Sequence, residues 1–197
     1  EGHLIGCEYN GLSLIRMSLE VVDGVYQGAE YLFSRPAEAG EATFEGPVVC
    51  DVSPDGDIYV GNIHDSGWGG GQNTGSIVRL TPTGNWPLGI GTVRALKQGL
   101  SLEFTGEIDR AAASKTSNYS LRSYRRVSTP AYGGADQDER EEKILEAQVD
   151  AGDTRVVLRL SDLREDCVYE LRVGAIARPG EKLFPAEAHY SMKRVPK

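Results

Sequence analysis

From residue 91 onward apolar and polar residues alternate in short runs, and this period of two constrains the fold more than any single motif. In "TRVVLRL" the residues Val156, Leu158 and Leu160 fall on one side, in "YELRV" Tyr169, Leu171 and Val173 do the same, and in "GLSLEF" so do Leu100, Leu102 and Phe104. Successive side chains of an extended chain point to opposite faces, so each run offers one apolar face to a core and one polar face to water. Seven such runs are present: "GTVRALK", "GLSLEFTG", "NYSLRSYRR", "KILEAQVD", "TRVVLRLSD", "CVYELRVGAI" and "HYSMKRV". Helix signals are confined to "ASKTS" at 113–117 and "SDLRED" at 161–166, which predict at most short helical turns. Seven short strands over about a hundred residues predict an antiparallel sandwich of two sheets.

The first part of the chain reads as strands separated by turn chemistry. "HLIGCEYN" and "SLIRMSLE" flank Asn10-Gly11, a strong two-residue hairpin signal, and predict a hairpin over 3–19. Asp23-Gly24 turns into "VYQGAEYLF", Pro54-Asp55-Gly56 supplies a second tight turn before "DIYVGNI", and "SIVRLTP" is a further strand. Two segments, "HLIGCEYNGLSLIRMSL" and "DIYVGNIHDSGWGGGQNTGSIVRLT", share the order of strand, Gly, polar loop and a strand bearing an Arg. They begin at His3 and Asp57, a spacing near the 40 to 50 residues of successive propeller blades.

Charge separates the same two parts. Residues 1–88 carry 12 Asp/Glu against 3 Lys/Arg, while residues 89–197 carry 17 against 18. The expected domains are therefore 1–88, blade-like strands too few for a closed propeller, and 89–197, an immunoglobulin-like β-sandwich. The expected class is all-β. So acidic a first part argues against nucleic acid as a partner, since phosphate neutralisation needs a basic stripe. The longest apolar runs are of strand length, so no membrane span is expected. The chain opens on Glu1 without a methionine, which leaves room for a cleaved leader or for upstream sequence. Cys7, Cys50 and Cys167 form no C-x-x-C pair, which excludes a zinc ribbon and a haem attachment motif within these residues. At most one disulfide can form among the three, and Cys7 with Cys50 is the pairing guessed.

The glycine-rich stretch "IHDSGWGGGQNTGSIVRL", 63–80, is the most unusual segment. It lacks the G-K-[ST] ending of a Walker loop, and its glycines run into a strand instead of a helix, so it is not a phosphate cradle. A metal site would need ligands beyond His64 and Asp65, and His3 and His189 sit in other elements. "DVSPDGDIYVGN" begins like a calcium loop, but Asn62 stands where a bidentate Glu is required and a strand follows. The reading that remains is an elongated loop anchored by Trp68. Any ligand site in the chain is expected at His64, Asp65 and Trp68. Trp68, Trp86, Tyr124 and Tyr132 are the aromatic residues suited either to stacking on sugar rings or to filling the seam between the two parts. The acidic run "DQDEREE", 136–142, reads as a solvated loop, with a cation contact as the alternative, and Arg125 and Arg126 as strand-end charges. No nucleophile elbow or distinct carboxylate pair is present, so no catalytic residue is assigned.

Two stretches resemble a known family. "DVSPDGDIYVGNIHDSGWGGGQNTGSIVRLTPTGNWPLGI", with its strand ending in "YVG", its Gly67-Trp68-Gly69 and its Arg79-Leu80, resembles the end of the propeller in secreted glucose/sorbosone dehydrogenase-like proteins. Proteins of that type occur fused to cytochrome c modules in planctomycete and verrucomicrobial bacteria. "GLSLEFTGEIDRAAASKTSNYSLRSYR" resembles the opening of bacterial immunoglobulin-like domains, with an Asn118-Tyr119 pair beginning the second strand.

The resemblance implies a C-terminal part of a periplasmic or extracellular oxidoreductase acting on a sugar or alcohol. It implies upstream propeller and cytochrome c modules as partners, and pyrroloquinoline quinone or haem as cofactors of the full-length parent, with none held in this chain. The family's quinone-binding histidines and arginines have no residue-by-residue match here, so the chain by itself is expected to be non-catalytic. The sandwich is then expected to stabilise or dock the propeller. The alternative is a non-catalytic extracellular module that binds carbohydrate or protein.

Overall fold

The computed structural model describes residues 2–34, 44–64, 73–130 and 133–197. Strands take up 53% of the chain and helix 4%, so the protein is all-β. Every strand pairing whose register is defined is antiparallel, and among the described residues no sheet closes into a barrel. The contacts divide the chain into two compact units: His3–Met17 with Leu32–Asn85, and Ser18–Tyr31 with Trp86–Lys197.

The first unit contains β1 (His3–Glu8), the first half of β2 (Ser13–Val22), and a three-stranded meander of β4 (Pro47–Val52), β5 (Ile58–His64) and β6 (Thr74–Leu80). The meander follows from its turns and its alternation. Gly56, at φ 87°, takes the left-handed position that a side chain resists, and the Ser53 and Asp57 backbones close the turn through Ser53 N donating to Asp57 O at 2.9 Å. Ile58, Val60 and Asn62 alternate inward along β5. Ile58 and Val60 join Leu14 and Phe44 in a small core, against which Ile5, Cys7, Phe33, Cys50, Val78 and Leu80 pack.

The second unit has two sheets. One takes the rest of β2, then β3 (Val25–Leu32), β14 (Glu187–Met192), β13 (Cys167–Val173), β9 (Tyr119–Arg125) and β10 (Gln137–Glu141) in that order. The other runs β11 (Ile144–Val149), β12 (Arg155–Leu160), β8 (Gly99–Phe104) and β7 (Ile90–Leu96). One continuous core is shared by the inward residues of both, Leu121, Tyr169, Leu171 and Tyr190 from the first and Val93, Leu100, Leu102, Val156 and Leu158 from the second. The period of two in the sequence is the cause, since it delivers all these residues to one side of their strands. Tyr31, on β3, is buried in this core and its hydroxyl accepts from Val93 N at 2.6 Å. Gly99 is required by close packing: a Cβ there would lie 1.8 Å from Leu158 O. The helical content is α1 (Arg110–Ala113), capped by Asp109 accepting from Ala112 N at 2.9 Å, and a 3₁₀ turn at Thr116–Asn118.

Two expectations are corrected. The run 136–142 is not a solvated loop: Gln137–Glu141 is the edge strand β10, paired with β9. It forms because arginines of the neighbouring elements, Arg122, Arg125, Arg126 and Arg164, neutralise its carboxylates. "SDLRED" forms no helix; the chain turns there, with Asp166 at φ 56°. Arg125 ends β9 and Arg126 follows it, as the sequence predicts, and both pair with acids, Arg125 with Asp138 and Arg126 with Asp136.

Candidate functional site

His64 is the last residue of β5, half-buried, and its backbone is paired with Thr74 of β6. It lies two residues beyond Asn62, so both side chains belong to the inward side of the meander. Asn62 is buried; its Nδ2 donates to Val60 O at 3.2 Å, and its Oδ1 has no hydrogen-bond partner among the described residues. Asp65 and Trp68, with the whole of Gly67-Trp68-Gly69, lie outside the described residues. Among the described residues no group of three or more His, Cys, Asp or Glu is arranged to hold a metal ion. The calcium-like stretch is an ordinary turn between β4 and β5, where Asp57 is committed to Arg79 at 2.5 Å. A hydrogen bond from Thr81, together with Arg79, holds the Asp57 carboxyl below its ordinary range against the opposing effect of burial.

The opposite side of the same meander is open and carries an apolar row beside the charged Asp51 and Arg79. Cross-strand neighbours share a face, so the register sets Val49, Gly61 and Ile77 in one row and Asp51, Tyr59 and Arg79 in the next. Ile77 is 78% exposed, Val49 60% and Tyr59 40%, with Ile63 nearby at 38%. The Arg79 guanidinium stands 6.0 Å from the Tyr59 ring centroid.

A second concentration of chemistry lies on the polar face of the larger sheet in the second unit. The registers place Glu30, His189, Glu170, Arg122 and Glu141 side by side across five strands, β3, β14, β13, β9 and β10. The row alternates in charge wherever His189 is protonated. Arg122 reaches Glu170 at 2.6 Å and Glu139 at 2.9 Å, and Arg172 joins Glu170 at 2.9 Å and Glu187 at 3.2 Å. Burial opposes ionisation of Glu170, but the Arg122 hydrogen bond and the charges of Arg122, Arg172 and His189 outweigh it and hold its pKa below the ordinary value.

Close by, Glu142 is buried and takes two hydrogen bonds from Arg140, at 2.8 and 3.0 Å, and one from Ser123 Oγ at 2.5 Å. Arg122, Arg172 and Arg140 are each committed to these carboxylates, which makes the network a clamp. Sequence reasoning missed it. The alternation of "YSLRSY" and "YELRV" does turn Arg122 and Glu170 outward, but their pairing is a matter of register, which local pattern does not specify.

Of the aromatic candidates, Trp86 is 70% exposed. Tyr124 is unsuited to stacking on a ligand: it is buried, with the Arg122 and Arg126 guanidinium groups 5.2 and 5.4 Å from its ring centroid. Tyr132 lies outside the described residues. No helix among the described residues is long and apolar enough to cross a membrane. No protein-family model, curated protein or solved structure matches the chain.

Proposed function

We propose that the chain is the non-catalytic C-terminal part of a secreted propeller protein of the sugar or alcohol dehydrogenase class. In this reading the β4–β5–β6 meander belongs to an incomplete blade, and residues 89–197 form an immunoglobulin-like sandwich that serves as a structural module of the same protein. The observation that carries it is the two-sided character of the meander. One face covers a core built on Leu14 and Phe44, and the other presents Val49, Tyr59, Ile63 and Ile77 to solvent. Blades are small antiparallel meanders packed in radial repetition about a channel. An open apolar face is what such a sheet presents where its neighbour is missing, because contiguous exposed apolar surface marks an interaction site.

The exposed Trp86 supports the second reading, an extracellular module that binds carbohydrate through aromatic stacking. The discriminating experiment extends the reading frame upstream of Glu1 and, in parallel, screens the chain against a polysaccharide panel by affinity electrophoresis. Further blade-like repeats upstream, a C-x-x-C-H motif and no retardation by any polysaccharide support the propeller reading. A leader peptide directly before Glu1, with retardation lost in Trp86→Ala, overturns it in favour of the binding module.

A further inference from the structure

We propose that Cys7 and Cys50 are a disulfide-forming pair, an oxidative modification site that ties β1 to β4 within the first unit. The inference stands independently of the proposed function. Cys7 lies two residues after Ile5 on β1, so the two share a side of the strand, and both pack against the Leu14–Phe44 core. Cys50 sits opposite Val60 in the β4–β5 register and packs against that same core. Its thiol donates to Ile5 O at 3.6 Å, which brings β4 against the stretch of β1 that holds Cys7. The Cys50 thiol is near enough to act on the ionisation of Cys7. Both thiols are free and half-buried, so a small reagent can reach them, whereas Cys167 is enclosed in the core of the second unit.

The oxidant is a small-molecule disulfide such as oxidised glutathione. One cysteine, as its thiolate, attacks a sulfur of the reagent, breaking its S–S bond and releasing one glutathione thiolate, which takes up a proton. The second cysteine, as its thiolate, attacks the protein sulfur of the mixed disulfide and expels the second glutathione. Two protein thiols are thereby oxidised to one disulfide and one glutathione disulfide is reduced to two thiols, the two protons passing to the products. Burial, and then the neighbouring Cys50, push the Cys7 thiol up to about 11. Exchange is therefore slow at neutral pH and quickens as the solution is made alkaline, because the thiolate is the reacting form.

The test incubates the reduced, folded chain with excess oxidised glutathione in mildly alkaline buffer, then unfolds it in urea with N-ethylmaleimide to block residual thiols, and maps the peptides by mass spectrometry. The expected result is a cross-linked pair of peptides holding Cys7 and Cys50, with maleimide on Cys167 only. The bond closes a long loop, so the unfolding midpoint should rise by about 5 to 10 °C. Cys50→Ser should give a single glutathione adduct on Cys7 and no rise, while Cys167→Ser should keep the cross-link. Separate glutathione adducts on Cys7 and Cys50, maleimide on both, or a bond to Cys167 would overturn the proposal. Should Cys50→Ser not fold, the wild-type peptide map decides alone.

Discussion

Arg122 Nη2 lies 2.6 Å from Glu170 Oε2, and the two residues face each other in the register that joins β9 to β13. Glu170 is buried to 7% side-chain exposure while Arg122 keeps contact with water. Glu170 also accepts from Arg172 and lies beside His189, which makes it the hub of the outward charge row. Replacing it by Gln should destabilise the second unit by about 1–2 kcal/mol, because two arginines lose a charged acceptor. Urea unfolding of the variant and the parent measures this directly.

The same residue predicts an acid limb. Its folded pKa is depressed, so the stabilisation it brings is complete above the pKa of an unfolded glutamate, about 4.3, and falls away as the pH drops below that value. Stability against pH should decline on the acid side, and Glu170→Gln should flatten part of that decline. Equal slopes in parent and variant between neutral pH and the acid limb would refute the assignment.

Glu142 offers a harsher test of the neighbouring network. Its side chain is only 1% exposed and is held by Arg140 and by Ser123. Glu142→Ala strips a buried carboxylate from two donors and should cost about 2–4 kcal/mol, more than Glu170→Gln. The order of the two midpoints in a denaturant series checks it.

The architecture was largely legible because its cause is local. Val156–Leu158–Leu160 and Tyr169–Leu171–Val173 show their strands by alternation alone, and Asn10-Gly11 and Pro54-Asp55-Gly56 show their turns by composition. The strand β10 was not legible, because "DQDERE" carries no apolar alternation and is held in the sheet by arginines distant in sequence. Register escaped for the same reason: nothing in "YSLRSY" says that Arg122 meets Glu170 and that Tyr124 is covered. Of the site expected at His64, Asp65 and Trp68, His64 alone falls among the described residues, where it ends β5 beside the buried Asn62.

Core packing gives a fourth prediction. Leu158 is fully buried and opposes Leu100 across β12 and β8, and both belong to the core shared by the two sheets. Leu158→Ala should cost about 2–5 kcal/mol, through lost transfer free energy and the cavity left behind. Gly99→Ala should also destabilise, since its methyl group would run into the Leu158 carbonyl and the strands would have to separate. Thermal unfolding of both variants, followed by near-ultraviolet circular dichroism, reads the two effects.

The outward face of the meander separates stability within this chain from stability in a larger assembly. Ile77 makes little use of its side chain here, since it is 78% exposed on a face where Val49 and Tyr59 are also open. An exposed position of this kind tolerates a charge, so Ile77→Lys should change the stability of the 197-residue chain by no more than about 0.5 kcal/mol. If the face is covered by a neighbouring blade, the same substitution in a longer chain carrying the upstream sequence buries an unpaired ammonium group and should cost about 2–4 kcal/mol. Parallel denaturant titrations of the short and the extended protein, each with and without Ile77→Lys, provide the comparison. Equal and small effects in both would show that no upstream segment covers this face and would remove the main support for the propeller reading. A large effect confined to the extended protein would place the missing neighbour on Val49, Tyr59, Ile63 and Ile77.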